Sequence, residues 1–175
     1  MSEKKDFVQP VIVLSFICLV VSGALAVVNN FTQPIIQKAA ADRAAEARME
    51  IIPHADGFTL LSVEGAPRTI TEIYKATNDT GYIFIIMSPG YGGDIKIICG
   101  IDNDGNVIKT GVLAHSETKG MTDLVFADLH HNQYTGKDKN LHGVIAVTGA
   151  TVSSNAYKNG IRDAFTAFEL ARRLP

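Results

Sequence analysis

Cysteine is scarce in this chain. Cys18 and Cys99 are the two present in 175 residues. One lies in a long apolar run near the N-terminus and the other in a strand-like apolar run, so a disulfide framework is excluded. Neither belongs to a Cys-x-x-Cys pair, and no self-contained zinc or iron–sulfur site is encoded. An excess of one charge is missing too. Sixteen Lys and Arg stand against eighteen Asp and Glu, a formal net charge of −2, which argues against nucleic acid or a polyanionic partner. No Gly-x-Ser-x-Gly elbow appears and no pair of carboxylates stands out, so a hydrolase has little support. Neither a strand–GxGxxG–helix fingerprint nor a Gly-Lys-Ser/Thr phosphate loop is present. Internal repeats and low-complexity linkers are absent, and the length predicts one domain with an appendage.

What is abundant is apolar sequence near the N-terminus. Residues 7–28 carry no charge and are rich in Val, Ile, Leu, Ala and Phe. A helix of that length spans about 33 Å, enough for a hydrocarbon core of about 30 Å. Lys4 and Lys5 with Ala24-Leu25-Ala26 also resemble a signal peptide, but the apolar run continues through Val27 and Val28. A retained transmembrane helix is expected. Charge alone leaves its orientation open, because Lys4 and Lys5 precede it and Lys38, Arg43 and Arg48 follow. The next stretch, 29–52, is alanine-rich with charges at helical spacing and predicts a connecting helix, capped by Thr32 and with Pro34 in its first turn.

Strand signals follow at short spacing over 58–63, 70–76, 82–87, 94–99 and 107–115, with Asp102-Asn103-Asp104-Gly105-Asn106 as a hairpin turn. Asp102 and Asp104 lack the downstream ligands of a calcium loop. The pattern predicts an antiparallel meander. Beyond it, 121–133 reads as a helix with Leu124, Val125 and Leu129 on a partial apolar face, and 141–147 reads as a strand. A final helix is expected over 155–173, with Ile161, Ala164, Phe165 and Phe168 on one face. The fold class is therefore α+β: one N-terminal helix, then a domain with an antiparallel sheet and flanking helices.

Three stretches remain that structure alone does not explain. Pro89-Gly90-Tyr91-Gly92-Gly93 reads as a turn. In His115-Ser116-Glu117-Thr118-Lys119-Gly120-Met121, His115 and Glu117 would share a strand face and could join His130, His131 or His142 on a metal. The same stretch could instead be a loop over a planar ligand, offering the amides of 118–121. In Thr148-Gly149-Ala150-Thr151-Val152-Ser153-Ser154, small residues open a helix, with Ser153 or Ser154 as its cap. Such a helix start suits a phosphate, or is a capped terminus and no more.

Together, the N-terminal anchor, Gly90-Tyr91-Gly92-Gly93-Asp94-Ile95, His115-Ser116-Glu117-Thr118-x-Gly120 and Thr148-Gly149-Ala150-Thr151 before a last helix resemble the FMN-binding domain family. The order is most similar to the G subunits of the Rnf ion-translocating ferredoxin:NAD oxidoreductase complexes, with the C subunits of sodium-pumping NADH:quinone oxidoreductases as near relatives. The resemblance covers almost the whole chain. It implies an electron-transfer subunit of a redox-driven translocase that lacks a complete substrate site of its own. It implies FMN joined by a phosphoester to Thr151, made by a flavin transferase, with Thr148, Gly149, Ala150, Ser153, Ser154, His115, Glu117, Thr118, Gly120 and Met121 about the cofactor and no metal. It further implies a cytoplasmic tail over 1–6, a single span over 7–28 in the cell membrane, the connecting helix over 29–52, an extracytoplasmic FMN-binding domain over 53–175, and the other complex subunits as partners. Alternatives are the quinone-reductase C subunit and a non-redox anchored binding module. Two stretches depart from the family pattern. Ile145 stands where an Asp is usual, and after Glu117-Thr118 the chain has Lys119 for a Pro and Met121-Thr122 for Leu-Gly; losing the Pro frees an N–H, and Lys119 places a cation near the flavin.

Overall fold

An uncharged run of some twenty residues has one stable form in lipid, a helix whose backbone groups bond to one another. In the computed structural model of this chain, which describes residues 3–117, 120 and 122–174 (side chains over 13–33 and from 42 onward), that run lies in helix α1, Glu3–Ile51. Within α1, Val13–Gln33 is long and apolar enough to cross a membrane. Its Leu14, Phe16, Leu19, Leu25 and Phe31 side chains are all exposed. One such N-terminal helix fits a single-pass membrane protein. Thr32 does not start a new helix. Its hydroxyl donates to the Val28 carbonyl one turn back at 2.7 Å, the self-bonding of a threonine inside a continuous helix. By contacts the chain divides into units over 1–45 and 46–175.

In the second unit, five strands form one antiparallel sheet in chain order: β1 (Phe58–Leu61), β2 (Ile70–Ala76), β3 (Tyr82–Pro89), β4 (Asp94–Ile101) and β5 (Val107–His115). The meander expected from the sequence is present. Its central strands are apolar on both faces because both faces are covered. Tyr82, Phe84 and Ile86 of β3 and Ile95, Ile97, Cys99 and Ile101 of β4 pack in one core with the last helix, α3 (Thr151–Ala171). Ile83, Ile85 and Ile98 pack on the opposite face with Ile51, Ile52 and Ala55. The α3 side is anchored by Ile161, Ala164, Phe165 and Phe168, the face its spacing predicts, joined by Tyr157, and Phe168 meets Tyr82 edge-on at 5.5 Å.

Two expected elements are corrected. The 121–133 helix shrinks to α2, Asp128–His131, followed by a 3-10 turn over Asn132–Tyr134. Val125 alone of the supposed apolar face is buried, while Leu124 and Leu129 are exposed, so no continuous face exists to drive a longer helix. No strand forms over 141–147. The outer edge of β5 is already occupied where the Val107 amide donates to the Lys137 carbonyl and the Gly136 amide to the Val107 carbonyl. Leu141, at φ 50°, turns into the core. The amides that a strand would have paired find side chains instead: Ile145 donates to Gln133 Oε1 at 2.9 Å and Val147 to Ser154 Oγ at 3.0 Å.

Candidate functional site

The β3–β4 hairpin closes with the Gly90 amide donating to the Gly93 carbonyl at 2.9 Å. Beside it passes the chain that leaves β5, and Glu117 reaches back so that its Oε1 accepts the Tyr91 amide at 2.6 Å. A Cβ at position 90 would collide with that oxygen, so glycine is what lets the carboxylate approach. Two separated sequence stretches are thereby tied together by one charge-assisted hydrogen bond. Glu117 is only 6 % exposed, and its Oε2 has no hydrogen-bond partner among the described residues.

The third stretch meets them at the start of α3. The residue before the helix is Ala150, at φ −125° and ψ 37°, with no side-chain cap. This corrects the expectation that Ser153 or Ser154 caps the helix. Both lie inside its first turn at 1 % and 2 % exposure, where Ser154 Oγ instead holds the Val147 amide of the preceding loop. The amides of Thr151, Val152 and Ser153 have no carbonyl four residues back within the helix. No acidic residue lies in the first turn, so the positive end of the dipole is left uncompensated. Gly149, at φ 84°, makes the sharp entry that points the helix start outward.

A cleft of about 370 Å³ is lined by Tyr91, Glu117, Thr122, Gly149, Ala150, Thr151, Val152 and Ser153. Its volume falls in the range of small-molecule and cofactor sites. Five of these lining residues were expected from the sequence. Tyr91, Thr122 and Val152 were not, although Tyr91 sits in a glycine turn that already needed explaining. A flavin mononucleotide fits the donor set: free amides and a helix dipole for a phosphate, and a buried acceptor oxygen in the same cleft.

Other expected residues lie elsewhere. Thr148 is exposed and outside the lining, and Ser154 faces the loop. Gly120, at φ 90°, donates its amide to Asp123 Oδ1 at 3.1 Å. Thr118, Lys119 and Met121 lie outside the described residues. His115 ends β5 with its ring stacked on Phe126 at 4.0 Å, and it lines a second cleft with Lys109, Val112, Asp128 and His131. Because β5 ends there, Glu117 does not share a strand face with His115. Among the described residues no group of three His, Cys, Asp or Glu could hold a metal ion.

His130 and His131 serve the core. His130 packs edge-on to Tyr134 and Tyr157, while His131 stacks on Tyr157 at 5.2 Å. Burial holds both imidazoles below the ordinary histidine range. The neighbouring His131 adds to the effect on His130, and Asp128 partly opposes it on His131. Tyr157 donates to Thr110 Oγ1 at 2.8 Å, and burial pushes its phenol well above the usual value.

The FMN-binding domain family matches residues 90–166, a span that begins at the glycine turn clamped by Glu117 and continues through the start of α3. Relatives extend the likeness to the rest of the chain. The G subunit of an ion-translocating oxidoreductase complex from Methanosarcina acetivorans is 29 % identical, over 94 % of this chain and 95 % of its own length. The G subunit of the proton-translocating ferredoxin:NAD(+) oxidoreductase complex of Clostridium ljungdahlii is 25 % identical, over 86 % of this chain and 85 % of that protein. Its counterpart in the Na(+)-translocating ferredoxin:NAD(+) oxidoreductase complex of Acetobacterium woodii is 23 % identical, over 90 % and 89 %. With a match to the FMN-binding domain behind one N-terminal apolar helix, the chain is similar over most of its length to the G subunits of ion-translocating oxidoreductase complexes.

Proposed function

We propose that the chain is the flavin-bearing electron-transfer subunit of a membrane-bound, redox-driven ion translocase, and that its FMN is joined by a phosphoester to Thr151. The observation that carries the attachment is the start of α3. It has no side-chain cap and no acid in its first turn, it opens into the cleft, and Thr151 is its first residue. A phosphodiester there is anionic, and the free amides and the helix dipole favour it. When bound, the flavin supplies the capacity to accept and pass on electrons. The protein's own contribution is placement. Gly149 and the Ser154–Val147 bond set the entry of the helix, and Glu117 and Tyr91 form part of the cleft lining.

A flavin transferase would make the bond, and the exposed Thr151 would be open to such an enzyme. The remaining subunits of the complex are the electron partners and supply the ion path, since an apolar single span offers none. The N-terminus is placed in the cytoplasm, with 7–28 as the span in the cell membrane and the FMN-binding domain on the extracytoplasmic side. The nine uncharged residues after the apolar run, from Asn29 to Ile36 and Gln37, support that orientation.

Co-expression of the full chain with a flavin transferase, followed by a denaturing gel under ultraviolet light, tests the attachment. A fluorescent band is expected for the wild type and none for Thr151→Ala. A dark wild-type band, or equal fluorescence in both, refutes it.

A further inference from the structure

A buried carboxylate oxygen without a donor is a costly thing for a fold to keep. Glu117 keeps one. Its Oε1 is committed to the Tyr91 amide, its Oε2 has no partner among the described residues, and the residue lines the cleft that contains Thr151. A carboxylate oxygen only accepts. An occupant of the cleft is therefore best matched at that point by an O–H or N–H.

Resting on the proposed FMN at Thr151, this match identifies which part of the cofactor lies there. The phosphodiester has no proton to donate and would be repelled. The dimethylbenzene edge of the ring has no donor, and the ring imide N–H lies at the far end of the molecule from the phosphate. The hydroxyls of the ribityl chain lie next to the phosphate, and they donate. We infer that Glu117 Oε2 accepts a hydrogen bond from a ribityl hydroxyl, making Glu117 a positioning residue that fixes the path of the chain from Thr151 to the ring. Its other oxygen joins that grip to the β3–β4 turn through the Tyr91 amide. The fold thus reads the sugar-alcohol chain of the cofactor as well as its phosphate, and a phosphate-bearing ligand without hydroxyls would leave the oxygen unpaired.

Glu117→Gln separates this role from a structural one. The amide oxygen can still accept from Tyr91, while its NH₂ places a donor where the cleft had an acceptor. The full-length protein is co-expressed with a flavin transferase and compared with the wild type. Flavin on Thr151 is quantified first, so that every comparison is made per attached flavin. The visible circular dichroism of the bound flavin should fall at least twofold, its fluorescence anisotropy should drop, and its midpoint should shift to more positive potential as a nearby negative charge is lost. Attached flavin with wild-type dichroism, anisotropy and midpoint overturns the inference. Should the variant lose its native near-ultraviolet dichroism, wild-type protein loaded with deoxyribityl analogues, one hydroxyl at a time, decides the question. One of them must reproduce the loss of dichroism, and if none does the inference fails. A dark wild-type band defeats the attachment reading itself, and the inference with it; a bright wild-type band with unresponsive variants and analogues defeats the inference alone.

Discussion

Gly160 lies midway along α3, where a glycine should be a flaw. Alanine there would be expected to stabilise a helix by about 0.8–1 kcal/mol. The packing predicts the opposite outcome. A Cβ on Gly160 would sit 3.1 Å from Ile86 Cγ2, 3.4 Å from Ile97 Cδ1 and 3.4 Å from Ser88 Cβ. Ile86 and Ile97 are fully buried in the two central strands, and Ser88 Oγ donates to the Ala156 carbonyl at 2.7 Å, which ties β3 to α3 close by. None of these neighbours is free to withdraw, so α3 must lift or the isoleucines must leave their rotamers. Overpacking of this kind costs about 1–3 kcal/mol, which exceeds the propensity gain over most of that range. Gly160→Ala is expected to destabilise the domain by about 1 kcal/mol and lower its Tm by about 2–5 °C. Thermal unfolding of the full chain in detergent can be followed by near-ultraviolet dichroism. The chain has no tryptophan, and its five tyrosines, from Tyr74 to Tyr157, all lie in the sheet domain, so the tyrosine band of that signal reports the domain and not α1. A Gly160→Ala variant that melts higher than the wild type refutes the argument that α3 is seated this closely against the sheet.

Ser154→Ala removes the acceptor for the Val147 amide from a buried position. A loss of about 1–2 kcal/mol is expected from chemical denaturation, together with a slower approach to full flavin fluorescence on Thr151, although Thr151 itself is intact. Stability should also depend on pH through His130 and His131. Their folded pKa values lie below the ordinary 6.5, so the unfolded chain takes up protons first as pH falls. The contribution is complete above pH 6.5 and is lost progressively below it, by at most about 1.4 kcal/mol per pH unit for each histidine. Denaturation midpoints measured from pH 7.5 to 5 should fall, and a flat profile refutes the buried neutral assignment.

Much of the architecture was legible because its causes are local. The isoleucine-rich strands and the Asp102–Asn106 turn specify the meander, and the spacing of Ile161, Ala164, Phe165 and Phe168 specifies the buried face of α3. Where the reading failed, long-range partners decided. The backbone over 141–147 has strand-like residues, but Gln133 and Ser154 take its amides and the β5 edge is already in use. Ser153 and Ser154 have the chemistry of caps, yet their burial in the first turn leaves Ala150 at the boundary. Helix α1 continues through Thr32, where a local signal suggested a fresh start. In the site, the motif residues around Thr151 were readable. The contact from Glu117 to the Tyr91 backbone was not, because a main-chain amide leaves no trace in composition. The only clue was a glycine at 90 whose reason lay 27 residues downstream, where the carboxylate needs the room.

The strand order has a consequence for how the protein is made. Each strand pairs with the next in sequence, so the sheet can form hairpin by hairpin as the chain emerges, with small loop-closure costs. The cleft cannot. Its lining comes from residue 91, residues 117 and 122, and residues 149 to 153, and α3, which fixes the last group, is the final element of the chain. A nascent or truncated chain can therefore hold a nearly complete sheet and still lack the cleft, so a ligand held there would mark a chain that has been synthesised and folded through α3.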